Sequence, residues 1–197
     1  MRKLFSILAF VLLYVGITLG QAFIDIPITI SDNAVGSKVL NFGLDLTATD
    51  GIDPALGESD LPPFPPLGAF EARFWLPPYT ASALTSYKDY RNAPAFPFTG
   101  PKEHRLKWQY SDFATSLTFT YNLPNSVQIT ITSNNATPLW TSGPRTGSGS
   151  YILDDPENSY SAARIQVVYT ATIPVELVSF NAIVSGNSVN LSWQTAS

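Results

Sequence analysis

The chain has 197 residues, and its charged share is only 13% against 45% hydrophobic, so it can bury a core and is not compositionally disordered. It carries 15 acidic and 11 basic side chains and no cysteine, which excludes thiol catalysis, disulfide stapling and thiolate metal sites. The acidic balance also opposes nucleic-acid binding and electrostatic docking on anionic lipid, both of which need clustered Lys and Arg.

Residues 1–22 read as a secretory signal peptide. Arg2 and Lys3 precede an apolar run from Leu4 to Leu19, and small or polar residues follow at Gly20, Gln21 and Ala22. Cleavage is expected after Gly20 or Ala22. The run is shorter than the ~20 residues of a membrane span, so no stable span is expected once the leader is removed. Loss of Arg2 and Lys3 leaves nine basic against fifteen acidic residues, a mature balance of −6. A cysteine-free exported chain fits a bacterial envelope better than a eukaryotic secretory route.

Residues 23–173 are expected to form one all-β domain, an antiparallel β-sandwich of the Ig or jelly-roll kind with long Pro-rich loops. Period-two alternation runs through "FIDIPITI", "SKVLNFGLDL", "GAFEARFWL", "SLTFTYNLP", "SVQITIT" and "ARIQVVYTA". In "GAFEARFWL" it puts Phe70, Ala72 and Phe74 on one face and Glu71, Arg73 and Trp75 on the other. Leu123-Pro124-Asn125-Ser126 has the composition of a hairpin turn between its flanking strands. Two long loops are expected, from about 47 to 67 and from about 77 to 101, with a turn of helix somewhere in 79–90. "TSGPRTGSGS" reads as a flexible turn.

Two of these loops carry candidate sites. Asp50, Asp53, Glu58 and Asp60 surround Gly51 and Gly57 in the first, offering oxygen ligands for calcium. Their spacing does not follow the alternate-residue pattern of an EF-hand, and Asp50-Gly51 and Asp53-Pro54 also read as turn formers. Trp75, Tyr79, Tyr87, Tyr90, Trp108 and Tyr110 cluster in or beside the second loop. Exposed aromatic faces stack on sugar rings or on partner side chains, and the same residues also serve as core and loop packing. A carbohydrate-binding reading requires Trp75 to face outward.

Catalytic constellations are thin. His104 is the only histidine, expected at the start of a strand, and no nucleophile elbow accompanies it. Glu71, Glu103 and Asp112 are the carboxylates near aromatics that a glycoside hydrolase would need to pair. The chain is read as non-enzymatic.

From Pro174 the text changes to "PVELVSFNAIVSGNSVNLSWQTAS", a strand, a turn at Ser185–Ser188 and a second strand ending near Trp193. Pro174–Leu177, Ser179, Phe180, Ala182, Val189, Leu191, Trp193 and Thr195–Ser197 resemble the opening of a fibronectin type III-like module. That module is common in exported surface proteins of Bacteroidetes and Ignavibacteria. "NFGLDLTATDGIDPALGESDLPPFPPLGAFEARFWLP" resembles a segment that precedes it in the same group. The resemblance implies secreted cargo of the type IX route and location at the cell surface, in a structural or adhesive role. It also implies that residues 174–197 are the truncated start of a longer module. The alternatives are a carbohydrate-binding module of a secreted hydrolase, with polysaccharide as partner in place of other surface proteins, and a calcium-stabilised surface repeat.

Overall fold

The computed structural model describes residues 22–170, 177–185 and 188–195. The expected leader, residues 1–22, lies outside these residues apart from Ala22. The strands are Ile24–Asp32 (β1), Ser37–Asp45 (β2), Glu71–Trp75 (β3), Thr85–Ser86 (β4), Lys88–Asn92 (β5), Thr99–Gln109 (β6) and Ser116–Asn122 (β7). They continue with Val127–Ser133 (β8), Thr141–Arg145 (β9), Ser148–Asp154 (β10), Ala162–Thr170 (β11), Leu177–Ser185 (β12) and Ser188–Thr195 (β13). Among the described residues a single 3₁₀ turn spans Pro54–Leu56.

The protein is an all-β sandwich. One sheet has five strands in the order β10-β7-β1-β2-β5, and the facing sheet has six in the order β4-β3-β6-β11-β8-β9. Alternation explains the arrangement, because successive strand side chains point to opposite faces. Ile26, Ile28 and Ile30 of β1 stand beside Phe42, Leu40 and Lys38 of β2, and Ile28 and Ile30 also oppose Tyr121 and Phe119 of β7. Across the core, Ile165, Val167 and Tyr169 of β11 oppose Ile131, Ile129 and Val127 of β8. These apolar side chains are buried in one continuous core. Each fully buried Val, Leu, Ile or Phe contributes about 1.5–3 kcal/mol relative to exposure.

Several expectations are corrected by the topology. Residues 123–126 do not close a hairpin. They carry the chain from β7 in one sheet to β8 in the other, because β7 pairs with β1 and β10 while β8 pairs with β11 and β9. Hairpin and arch share a turn composition, and both send alternate apolar residues inward. The stretch 77–101 is not one loop, since it contains β4, β5 and the start of β6. Where a helical turn was expected there are reverse turns, closed by Tyr79 N–H to Leu76 O (3.1 Å) and Ala83 N–H to Thr80 O (3.1 Å). "TSGPRTGSGS" is all of β9 and the start of β10, turning through Gly147 at φ +63°. His104 sits in the middle of β6. The pairing is not wholly antiparallel, because β5 runs parallel to β2.

β12 and β13 pair only with each other, with Phe180 opposite Trp193 and a bulge between Leu177 and Ser179. Phe180, Val189 and Leu191 are more than half exposed. A lone hairpin is marginal in water, and this one shows apolar side chains that further strands would cover.

Candidate binding surface beside a buried ion chain

β5 supplies the polar centre of the molecule. Its alternation turns Asp89 and Arg91 inward, and both are buried. Two buried charges are tolerable only when paired and hydrogen-bonded. Asp89 Oδ2 accepts from Arg91 (2.9 Å) and lies 2.8 Å from His104 Nδ1. The His104 ring is fully buried, with the rings of Phe42 and Phe74 at 5.3 and 5.9 Å. Arg91 continues the chain outward to Asp50 Oδ1 (3.0 Å) and the Tyr79 hydroxyl (3.3 Å). Burial works against the Arg91 charge, but Asp89, Tyr79 and Asp50 together hold its pKa above the ordinary value. The chain surfaces in a cleft of about 540 Å³ lined by Asp50, Tyr79, Arg91, Lys102 and Glu103.

Beyond this cleft, aromatic rings and cations alternate on the outer face of the six-stranded sheet. Glu103, Arg105, Lys107 and Gln109 are the outward residues of β6. The Arg105 guanidinium stacks 4.0 Å over Tyr79, Lys107 Nζ lies 3.9 Å over Trp75, and Arg73 lies 4.1 Å over Phe64. Trp75 meets Tyr79 edge-on at 5.8 Å, and its indole N–H donates to Thr80 O. Such cation–ring contacts contribute about 0.5–1 kcal/mol when exposed. Arg105 is held by Glu103 at 2.7 Å. Burial lowers the pKa of Lys107. Lys107 also borders a groove of about 560 Å³ that Phe64, Asp112, Phe113 and Tyr160 help line. At its mouth Leu67 and Phe113 are 92% and 97% exposed.

Of the six aromatic candidates, Trp75 and Tyr79 come together on this surface, with Trp75 on the outward face as its alternation required. Tyr87 is half-buried and donates to Glu71 Oε2 at 3.1 Å. Tyr90, Trp108 and Tyr110 are buried and offer no open ring face. Tyr90 packs with Ala22, Ala48 and Leu56 under the acidic loop, while Trp108 and Tyr110 belong to the main core. Tyr110 donates to Asp155 at 3.0 Å, and burial and that neighbour raise its pKa.

The acidic loop is tied to its own chain. Asp50 pairs with Arg91, and Asp53 accepts from the Thr49 N–H at 2.7 Å. Glu58 is buried and accepts from the Asp53 N–H (2.9 Å) and the Tyr90 N–H (2.7 Å). Asp60 accepts from the Thr85 N–H at 3.3 Å. Burial raises the Glu58 pKa to about 7 against the pull of those two donors. Among the described residues no three His, Asp or Glu side chains gather into a metal-binding group. The remaining carboxylates have separate surroundings: Glu71 contacts Arg73 and Tyr87, Glu103 contacts Arg105, and Asp112 lines the groove.

Sequence reasoning missed the Asp89–Arg91–His104 chain and the cations over Trp75 and Tyr79. The signal was strand parity. His104, Leu106 and Trp108 share one face of β6, and Arg105 and Lys107 share the other. No family model, curated protein or solved structure matches the chain. Its function is therefore read from the sandwich and its surfaces.

Proposed function

We propose that this chain is a non-enzymatic, exported module with a structural or adhesive role at a bacterial cell surface, followed by the start of a fibronectin type III-like module. The observation that supports this reading is how the acids are spent. Asp32, Asp45, Asp53 and Asp155 each accept from backbone N–H groups of connecting segments. Each such charge-assisted bond contributes about 1.5–3 kcal/mol, so the loops are fixed to the sheets as a stiff bead. Expression of the full chain in a bacterial host tests the export half of the reading. The expected outcome is an exported product whose intact mass starts at Gln21 or Phe23. A cytoplasmic product that keeps its leader would overturn it.

A second reading, carbohydrate binding, is favoured by the strip of rings from Tyr79 through Trp75 towards Phe64 and Phe113. Flat rings flanked by cations and amides suit sugar stacking and hydrogen bonding. Pull-down on insoluble polysaccharides should then lose most of the bound fraction in Trp75→Ala. Binding unchanged in that variant would remove Trp75 from the site.

A further inference from the structure

A sandwich of two open sheets has four edges, and edges with free N–H and C=O groups invite pairing. Three are protected here. β4 is two residues long. β5 is covered by the acidic loop, whose Glu58 takes the Tyr90 N–H. β9 carries Gly143 and Pro144, and its register with β8 is irregular. The fourth edge, β10, is different. It is seven residues long, contains neither Lys, Arg nor Pro, and is paired among the described residues only with β7.

The hydrogen-bond phase of β10 follows from its two ends. Leu123 N–H donates to Gly147 O, and Asp155 N–H donates to Thr115 O. Both fall in the β7–β10 register, in which Tyr151 opposes Phe119. Bonded pairs alternate in an antiparallel ladder, so Gly149, Tyr151 and Leu153 turn their backbone groups to β7. Ser148, Ser150, Ile152 and Asp154 aim theirs away from the sheet. All four are exposed, Ile152 at 57%.

We propose that β10 pairs antiparallel with β10 of a second copy of this chain, across a two-fold axis at Tyr151. This register sets Ser150 against Ile152 and Ser148 against Asp154 of the other copy, so every outward group meets a partner and about eight main-chain hydrogen bonds form. The charges favour a second copy. The only ionisable acid on the strand, Asp154, meets a serine and not its own symmetry mate. Opposite charges across paired strands stabilise, and like charges directly opposite destabilise. An isologous pair also closes, joining two five-stranded sheets without leaving a new bare edge. The inference is independent of the function proposed above.

Sedimentation of the leader-free chain over about a hundredfold range of concentration tests it. The weight-average mass should rise from one chain towards two. Ile152→Pro removes an N–H aimed away from β7, a position where an edge strand accepts proline. It should hold the protein as a monomer with its melting temperature unchanged. Ser150→Lys, an edge lysine, should do the same if the proline disturbs the strand. Hydrogen exchange gives the residue-level readout: the Ser150 and Ile152 amides should slow as concentration rises, while those of Tyr151 and Leu153 stay protected throughout. A monomer at every concentration, a dimer that survives Ser150→Lys, or Ser150 and Ile152 amides indifferent to concentration would each overturn the proposal.

Discussion

At β5 the Glu58 carboxyl takes the outward N–H of Tyr90, and at β4, the neighbouring edge of the facing sheet, Leu61 N–H donates to Thr85 O at 2.9 Å and Asp60 accepts from Thr85, so the segment 58–61 is tied to both edges like a flap. Along β10 the outward groups of Ser148, Ser150, Ile152 and Asp154 have no such cover among the described residues. Both strands are short and both border the same core. The difference lies in what each turns inward. β10 presents Tyr151 and Leu153 to the aromatic cluster with Trp140 and Phe119, a wholly apolar anchor that leaves its edge unencumbered. β5 presents Asp89 and Arg91, whose burial is tolerable only in one fixed geometry, and the covering loop holds β5 in that geometry. A polar interior and a sealed edge go together here, as do an apolar interior and an open edge.

The sharpest way to break this comparison is Asp89→Ala. One oxygen of Asp89 serves both His104 and Arg91, so its loss leaves a buried guanidinium and a buried imidazole without their shared acceptor. Removing one partner of a buried ion pair costs about 3–5 kcal/mol. Urea unfolding of this variant should give a free energy of unfolding lower by that amount, with the midpoint reduced by that loss divided by the denaturant slope. Asp89→Asn, which keeps one acceptor, should fall between it and the natural chain. A loss below about 1 kcal/mol would place the interaction in the class of surface pairs and remove the physical reason given for sealing β5.

The same contrast explains what could be read from the sequence. β1, β2, β3, β7, β8 and β11 were legible because β-branched and aromatic residues alternate in them with polar ones. β5 was not, because "KDYRN" has no apolar face: its inward residues are charged and neutralise one another only after folding. β10 was hidden for the opposite reason, since "SGSYILD" begins with residues that read as a turn. The arch at 123–126 has the chemistry of a hairpin, and only the second sheet decides between them. At the candidate surface, parity correctly turned Trp75 outward. Tyr90 also points outward from its strand, but it is buried against Ala48 and Leu56 of the preceding loop, whose Glu58, 32 residues earlier in the chain, takes its N–H. No local pattern carries that information. Trp108 shares one face of β6 with His104 and Leu106, and that face is the buried one, so the core-packing alternative holds for it.

A smaller effect is expected at Glu58, and it sharpens the comparison because it concerns the flap alone. Gly57, at φ +81°, turns the chain so that the Glu58 side chain passes under the loop to reach the edge of β5. Glu58→Ala leaves the Asp53 and Tyr90 N–H groups without their acceptor, a cost of about 1–3 kcal/mol, and should speed exchange of the Tyr90 amide towards the rate of an open edge. The charge adds a pH signature. The Glu58 carboxyl has an ordinary pKa of 4.5, and in the folded protein burial raises it to about 7. Below 4.5 it is protonated in both states and its contribution to stability is fully present. Between that value and about 7 the folded chain keeps a proton that the unfolded chain releases, so stability falls as pH rises, and it levels off above. The natural chain should therefore melt at a lower temperature near pH 8 than near pH 5, each kcal/mol corresponding to about 2–4 °C for a chain of this size. Glu58→Gln, which cannot ionise and keeps one acceptor, should flatten that slope. A slope that persists in Glu58→Gln would assign the titration to another group and leave the flap held by Asp60 and Leu61 without help from a buried acid.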